Sequence, residues 1–140
     1  MSDVLLDTTV LIDVARRFAP TVAWVSRQRS AALYLSTITV GELVRGAYRA
    51  AAGSGERLAA ELHQVHRDLL PRFGGRILAF DLASAEVWGR LLAEGEVRGS
   101  RPPVDDAKIA AIALRHGLVV ATSNTRHLAP LCPTLDPRTA

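Results

Sequence analysis

The 140-residue chain has one cysteine, Cys132, so no internal disulfide can form and no cysteine pair is spaced for zinc. Folding must rest on burial. The four histidines do not make up for the missing thiolates. His63 and His66 have helical i,i+3 spacing and His116 precedes Gly117 as at a helix end, but nothing completes a tetrahedral set. Long apolar runs are missing too. Arg, Asp, Gly or Pro breaks each one well short of the roughly 18 residues of a membrane-spanning helix. The first residues lack the basic segment and apolar core of a secretory signal. A soluble, cytoplasmic protein without membrane contact is expected.

Lysine is almost absent, since sixteen of the seventeen basic residues are Arg. The net charge is +3, and 49% of residues are hydrophobic, enough to fill the core of one domain spanning residues 1–140. Guanidinium forks match phosphate oxygens, so this basicity favours a polyanionic partner. Arg45 and Arg49 lie one helical turn apart, and "VRGSR" carries Arg98 and Arg101. These residues either line a groove for a phosphate backbone or form ordinary solvated faces.

Short β-prone runs alternate with helical spacing along the chain. Val4 to Leu6, "ALYLS", "RILAF" and "LVVATSN" read as strands, with a short fifth in "LCPTLD". Between them, Pro20 opens a helix, "TITVGELVRGAYRAA" forms another, and "GERLAAELHQVHRDLL" is amphipathic and closed by Pro71. "DLASAEVWGRLLAEGEVRG" and "DDAKIAAIALRHG" complete the set. Such alternation predicts a parallel sheet covered on both faces, which binds ligands beyond the carboxyl ends of its strands.

Acids gather at that predicted edge. Asp7 follows the first strand, Glu42 the second, and Asp105 and Asp106 open the helix before the fourth, which itself ends in Ser123 and Asn124. Each has a plain structural reading. Asp7 can cap the next helix, Thr39 and Glu42 match an S/T-x-x-E capping box, and Asp105 fits the cap of its helix. Capping gives no reason for convergence, whereas a hard divalent cation, Mg²⁺ or Mn²⁺, would offset the repulsion of clustered carboxylates. Asp13 reads as helix surface, solvated or paired with Arg16 or Arg17, and Asp81 as a helix cap.

On "LLDTTVLID", "YLSTITVGELVRG", "PPVDDAKIAAIALRHGLVVATSN" and, more weakly, "GGRILAFD", the chain resembles the PIN domain family of metal-dependent ribonucleases. Within it, the likeness is to the VapC-type and FitB-type toxins of toxin-antitoxin pairs. The resemblance implies a three-layer α/β/α fold with a mainly parallel sheet of four or five strands. It implies metal ligation by Asp7, Glu42 and Asp106, with Asn124 at a fourth, usually acidic position. Ser123 stands where Arg is usual and Thr9 where Asn or Ser is common, which with Thr8 makes these residues supports of the ligands. An activated water would cleave RNA to leave a 3′-hydroxyl and a 5′-phosphate, with Arg45, Arg98 and Arg101 holding substrate. A cognate antitoxin would restrain the enzyme, and only that antitoxin would contact DNA. Trp88, Leu91 and Leu92 share an apolar helix face that suits either a homodimer or the core.

Two other phosphate-handling folds fit less well. A haloacid dehalogenase-type phosphotransferase needs a second Asp where Thr9 stands. A receiver domain needs paired acids at the first strand end and has no place for the long helical hairpin after the second strand. The serious alternative is a PIN fold whose metal site has degenerated, with Asn124 as its mark, acting as a nucleic-acid-binding or regulatory module.

Overall fold

The first strand, β1 (Val4–Leu6), is buried along its whole length. Leu5 points into one apolar cluster, with Ile109, Ile112, Val120 and Leu128, while Val4 and Leu6 point into another, with Val10, Trp24, Leu35 and Phe73. A strand with period-two side chains can fill two cores only at the centre of a sheet with helices on both faces. The computed structural model describes residues 3–140 and has that arrangement.

In chain order β1 is followed by helices α1 (Thr8–Ala15) and α2 (Ala19–Ser26), then β2 (Leu33–Ser36), α3 (Thr37–Ala51) and α4 (Gly55–His63). A wider π-helical turn over Gln64–Leu69 joins α4 to α5 (Leu70–Phe73). Next come β3 (Ile77–Leu78), α6 (Leu82–Val97), α7 (Val104–His116), β4 (Val119–Ala121), α8 (Thr125–Leu128) and β5 (Thr134–Leu135). All five strands are parallel, in the order β3-β2-β1-β4-β5. The chain walks outward from β1 to β3 and then returns to the other side of β1. Strand order therefore reverses between β1 and β4, where the crevice of such a sheet opens.

The strand positions and the α/β class agree with the sequence reading, and several local assignments differ. Pro71 does not end the amphipathic helix. It lies in the first turn of α5, where its missing N–H costs nothing, and the π-turn before it takes up the change in register. Leu91 and Leu92, read as a face for a homodimer, are 6% and 9% exposed and packed inward, with Leu91 in the core shared with α7, so this face gives dimerisation no support. No helix among the described residues is long and apolar enough to cross a membrane.

Asp13 is corrected outright. It is 6% exposed, accepts a hydrogen bond from Thr21 Oγ1 at 2.8 Å, and receives Arg138 through Nε at 2.9 Å and Nη2 at 2.8 Å. The Arg138 guanidinium also lies 4.9 Å from the centre of the Phe18 ring. The segment after β5 is thus latched onto α1 and α2, and the hydrogen bonds from Arg138 hold the Asp13 carboxyl below the ordinary range.

Candidate active site

Asp7 is the residue directly after β1, and its N–H is bonded to Ala121 O of β4 at 2.9 Å, which fixes it at the switch point. Its backbone is extended and stands at the N-cap of α1, yet its carboxylate makes no capping bond. Two hydroxyls hold that carboxylate instead. Thr122 Oγ1 donates to Asp7 Oδ2 at 2.7 Å and Thr9 Oγ1 donates to the same oxygen at 3.3 Å. Each hydroxyl is oriented by a backbone donor: Asn124 N–H reaches Thr122 Oγ1 at 2.8 Å, and Ser123 N–H reaches Thr9 Oγ1 at 3.2 Å. With its oxygen accepting an amide, each hydroxyl has its proton free for Asp7. Both bonds fall on Oδ2, and Oδ1 is left with no partner among the described residues.

Glu42 and Asp106 come from α3 and α7. The cap of α3 is Ser36, whose Oγ accepts Thr39 N–H at 3.1 Å, so the expected Thr39–Glu42 capping box does not form. Glu42 is released from capping and accepts from Thr8 Oγ1 at 2.8 Å. On α7, Pro103 occupies the N-cap position and neither Asp105 nor Asp106 caps it, contrary to the role expected of Asp105. The half-buried Asp106 faces Asn124 Nδ2 at 3.4 Å and His127 Nδ1 at 3.7 Å.

Burial is the main cause that pushes the Glu42 carboxyl above its ordinary range, with the Thr8 bond opposing it and Asp7, Asp105 and Asp106 adding to it. Burial also raises Asp106, followed by the charge of Asp7, against His127 and Asn124. The three acids thus share a field that their surroundings leave uncompensated. As the side chains stand, however, no three Asp, Glu, His or Cys groups among the described residues lie close enough to grip one ion. The donor set is hard oxygen with excess negative charge, which suits Mg²⁺ or Mn²⁺, and ligation would require turning the carboxylates from their present hydrogen bonds.

A raised carboxyl value means that the folded chain binds protons more tightly than the unfolded one. The contribution of Glu42 and Asp106 to stability therefore falls as pH rises through their raised values and is regained on acidification toward the ordinary range. Urea midpoints of the metal-free protein are expected to be higher near pH 5 than near pH 7, and Asp106→Asn should shrink the difference. Stability that climbs with pH across this interval, equally in both proteins, would contradict the field described.

The expected arginines separate. Arg45 is exposed beside Glu42 and Asp105 in a shallow groove, whereas Arg98 and Arg101 line a different one with Arg126 and His127. A third groove, apolar and about 410 Å³, runs between α1, α3 and the π-turn and touches Thr8 and Glu42. Sequence reasoning missed Thr122, whose β-branched side chain read as strand, and His127, which was weighed only as a zinc ligand. The adjacency of Thr122 to Ser123 at the strand end was the available signal.

Residues 4–130 match the PIN domain family, and the chain belongs to it. Among curated relatives it is similar to the plasmid stability protein StbB of Pseudomonas syringae pv. tomato, with 40% identity over 87% of this chain and 88% of that one. It is 36% identical to the VapC ribonuclease Y4jK of Sinorhizobium fredii, over 87% of each. It is 34% identical to the toxin FitB of Neisseria gonorrhoeae, over 87% of this chain and 88% of that one. A crystal structure of FitAcB from the same organism superposes with a TM-score of 0.87 at 31% identity, covering 96% of this chain and 97% of that one.

Proposed function

We propose that the chain is a Mg²⁺-dependent endoribonuclease toxin, with Mn²⁺ as an alternative ion, restrained by an antitoxin. The observation that carries this is the set of Asp7, Glu42 and Asp106 at the switch point, with Asp7 Oδ1 left free. Relatives named as a ribonuclease and a toxin support it. Asp7, Glu42 and Asp106 would hold the ion, which when bound supplies a water of lowered pKa and offsets charge on the departing oxygen. Thr9 and Thr122 keep the Asp7 carboxylate in one orientation, Thr8 does the same for Glu42, and Asn124 and His127 steady Asp106. Asn124 contributes an amide where an acid would add charge, so the site carries three carboxylates.

Restraint follows from the same geometry. An antitoxin segment can lay apolar side chains in the groove beside Thr8 and Glu42 and place a basic group among the carboxylates. In that complex the antitoxin, rather than this chain, would contact DNA.

Purified protein incubated with single-stranded RNA should cleave it with Mg²⁺ or Mn²⁺ and stop on addition of EDTA. Cleavage that survives EDTA, or that persists in Asp106→Asn, would rule the proposal out. The degenerate-site alternative expects RNA binding without cleavage under every metal. Thr122→Val removes the hydroxyl from Asp7 and the acceptor from Asn124 N–H. It is expected to lower kcat about 10- to 100-fold, with KM for RNA little changed. A change confined to KM would assign Thr122 to substrate contact instead.

A further inference from the structure

The loop between α6 and α7 and the short α8 enclose a groove of about 400 Å³ beyond His127. Its rim carries Arg98, Arg101, Arg126 and His127, and Pro102 and Pro130 form part of an apolar floor. No carboxylate lines it. All four rim side chains are exposed, and Arg98 and Arg126 make no ion pair among the described residues. Arg101 meets only the exposed Glu96, at 3.9 Å.

The wall bearing these cations is built into the fold. Ser100 N–H bonds to Gly95 O at 2.8 Å, and a Cβ on the buried Gly95 would come within 2.7 Å of Pro102 Cδ and 2.8 Å of Ser100 O. Only glycine lets the loop lie this close to α6. Gly99, with φ of +73°, makes the turn that brings it back. At its inner end the groove joins the acids, because His127 lies 3.7 Å from Asp106.

We infer that this groove holds the single-stranded RNA flanking the cleaved bond, with phosphates on Arg98, Arg101 and Arg126 and an unstacked base on the proline floor. The inference rests on the ribonuclease reading above. Four cationic or protonatable groups with no acid among them select a polyanion, and an apolar floor of this size offers a base the contact it lacks when unstacked. A duplex keeps its bases stacked and inward, and cannot use that floor.

The test is anisotropy of a fluorescein-labelled single-stranded RNA with Mg²⁺, in an Asp7→Asn background so that binding is read without turnover. Arg98→Gln/Arg126→Gln is expected to weaken binding about tenfold at 0.1 M salt. The slope of log K against log salt should fall by about 1.4, since each lost single-strand phosphate contact accounts for about 0.7. Arg16→Gln/Arg29→Gln removes the same charge at the end of α1 and ahead of β2, away from the acids, and should leave the slope unchanged. Equal losses in both double variants, or no loss in the first, overturn the inference, as would be found if the groove served an acidic polypeptide. Cleavage by the otherwise unaltered protein is scored in parallel. Cleavage with no binding defect removes the groove and keeps the nuclease, whereas a binding defect with no cleavage under any metal removes the nuclease and keeps the groove.

Discussion

Replacing Asp7 by Asn is expected to lower RNA cleavage about a thousandfold while leaving the fold intact. The size follows from losing several kcal/mol of charge stabilisation at the reacting phosphate, roughly 4 kcal/mol for three decades of rate. Retention of the fold follows from the surroundings of Asp7. Its carboxylate makes no capping bond, and Asn can still accept from Thr122 and Thr9. Removing its charge also eases the repulsion that raises Glu42 and Asp106. The metal-free variant should therefore melt no lower than its parent, whereas the rise in Tm on adding Mn²⁺ or Mg²⁺, about 2.7 kcal/mol at a hundredfold excess over Kd, should disappear. A variant that cuts RNA within tenfold of its parent, or keeps the metal-induced shift, would remove Asp7 from the centre of the site.

The second large effect lies far from the acids. Asp13→Ala is expected to cost about 2–3 kcal/mol, because it strips a charge-assisted fork from Arg138 and leaves the fully buried Thr21 hydroxyl without an acceptor. For a chain of this length that is a fall in Tm of roughly 6–9 °C. Asp13 has a lowered carboxyl value, so its contribution is present above the unfolded value of 3.8 and is lost as pH falls through the lower folded one. The variant and its parent should converge in stability under strongly acid conditions and differ most near neutrality. Scanning calorimetry at both ends checks this, and a constant difference across the range would show that packing, not the ion pair, carries the effect. RNA cleavage below the melting temperature should be unchanged.

The two predictions mark where the sequence was informative. The strands and the Asp at the end of β1 could be read because period-two apolar runs and switch-point chemistry are local in sequence. The three acids could be read because each follows or opens a recognisable element. What could not be read was long-range or competed with a local rule. Arg138 meets Asp13 across 125 residues, with no local pattern to announce it. The capping box at Thr39 and Glu42 satisfied its pattern, but Ser36 had already taken the helix start and freed Glu42 for Thr8. Asp105 fitted a cap rule that Pro103 displaced. Thr122 carried no chemical signature until β4 was placed beside β1.

That pairing sets an order of assembly. β1 and β4 are neighbours in the sheet, but Asp7 and Thr122 are 115 residues apart in the chain. β1 can dock on β2 early in synthesis, whereas the hydroxyls and the amide that orient Asp7 and Asp106 arrive only with the last fifth of the chain. Closing so long a loop is entropically slow, and no shorter local contact can substitute for it. A nascent or truncated chain lacking β4 would carry the acids but not the partners that aim them. Nucleolytic competence should therefore appear late in translation, after the sheet is nearly complete, a useful delay for an enzyme made beside the RNA that it would cut.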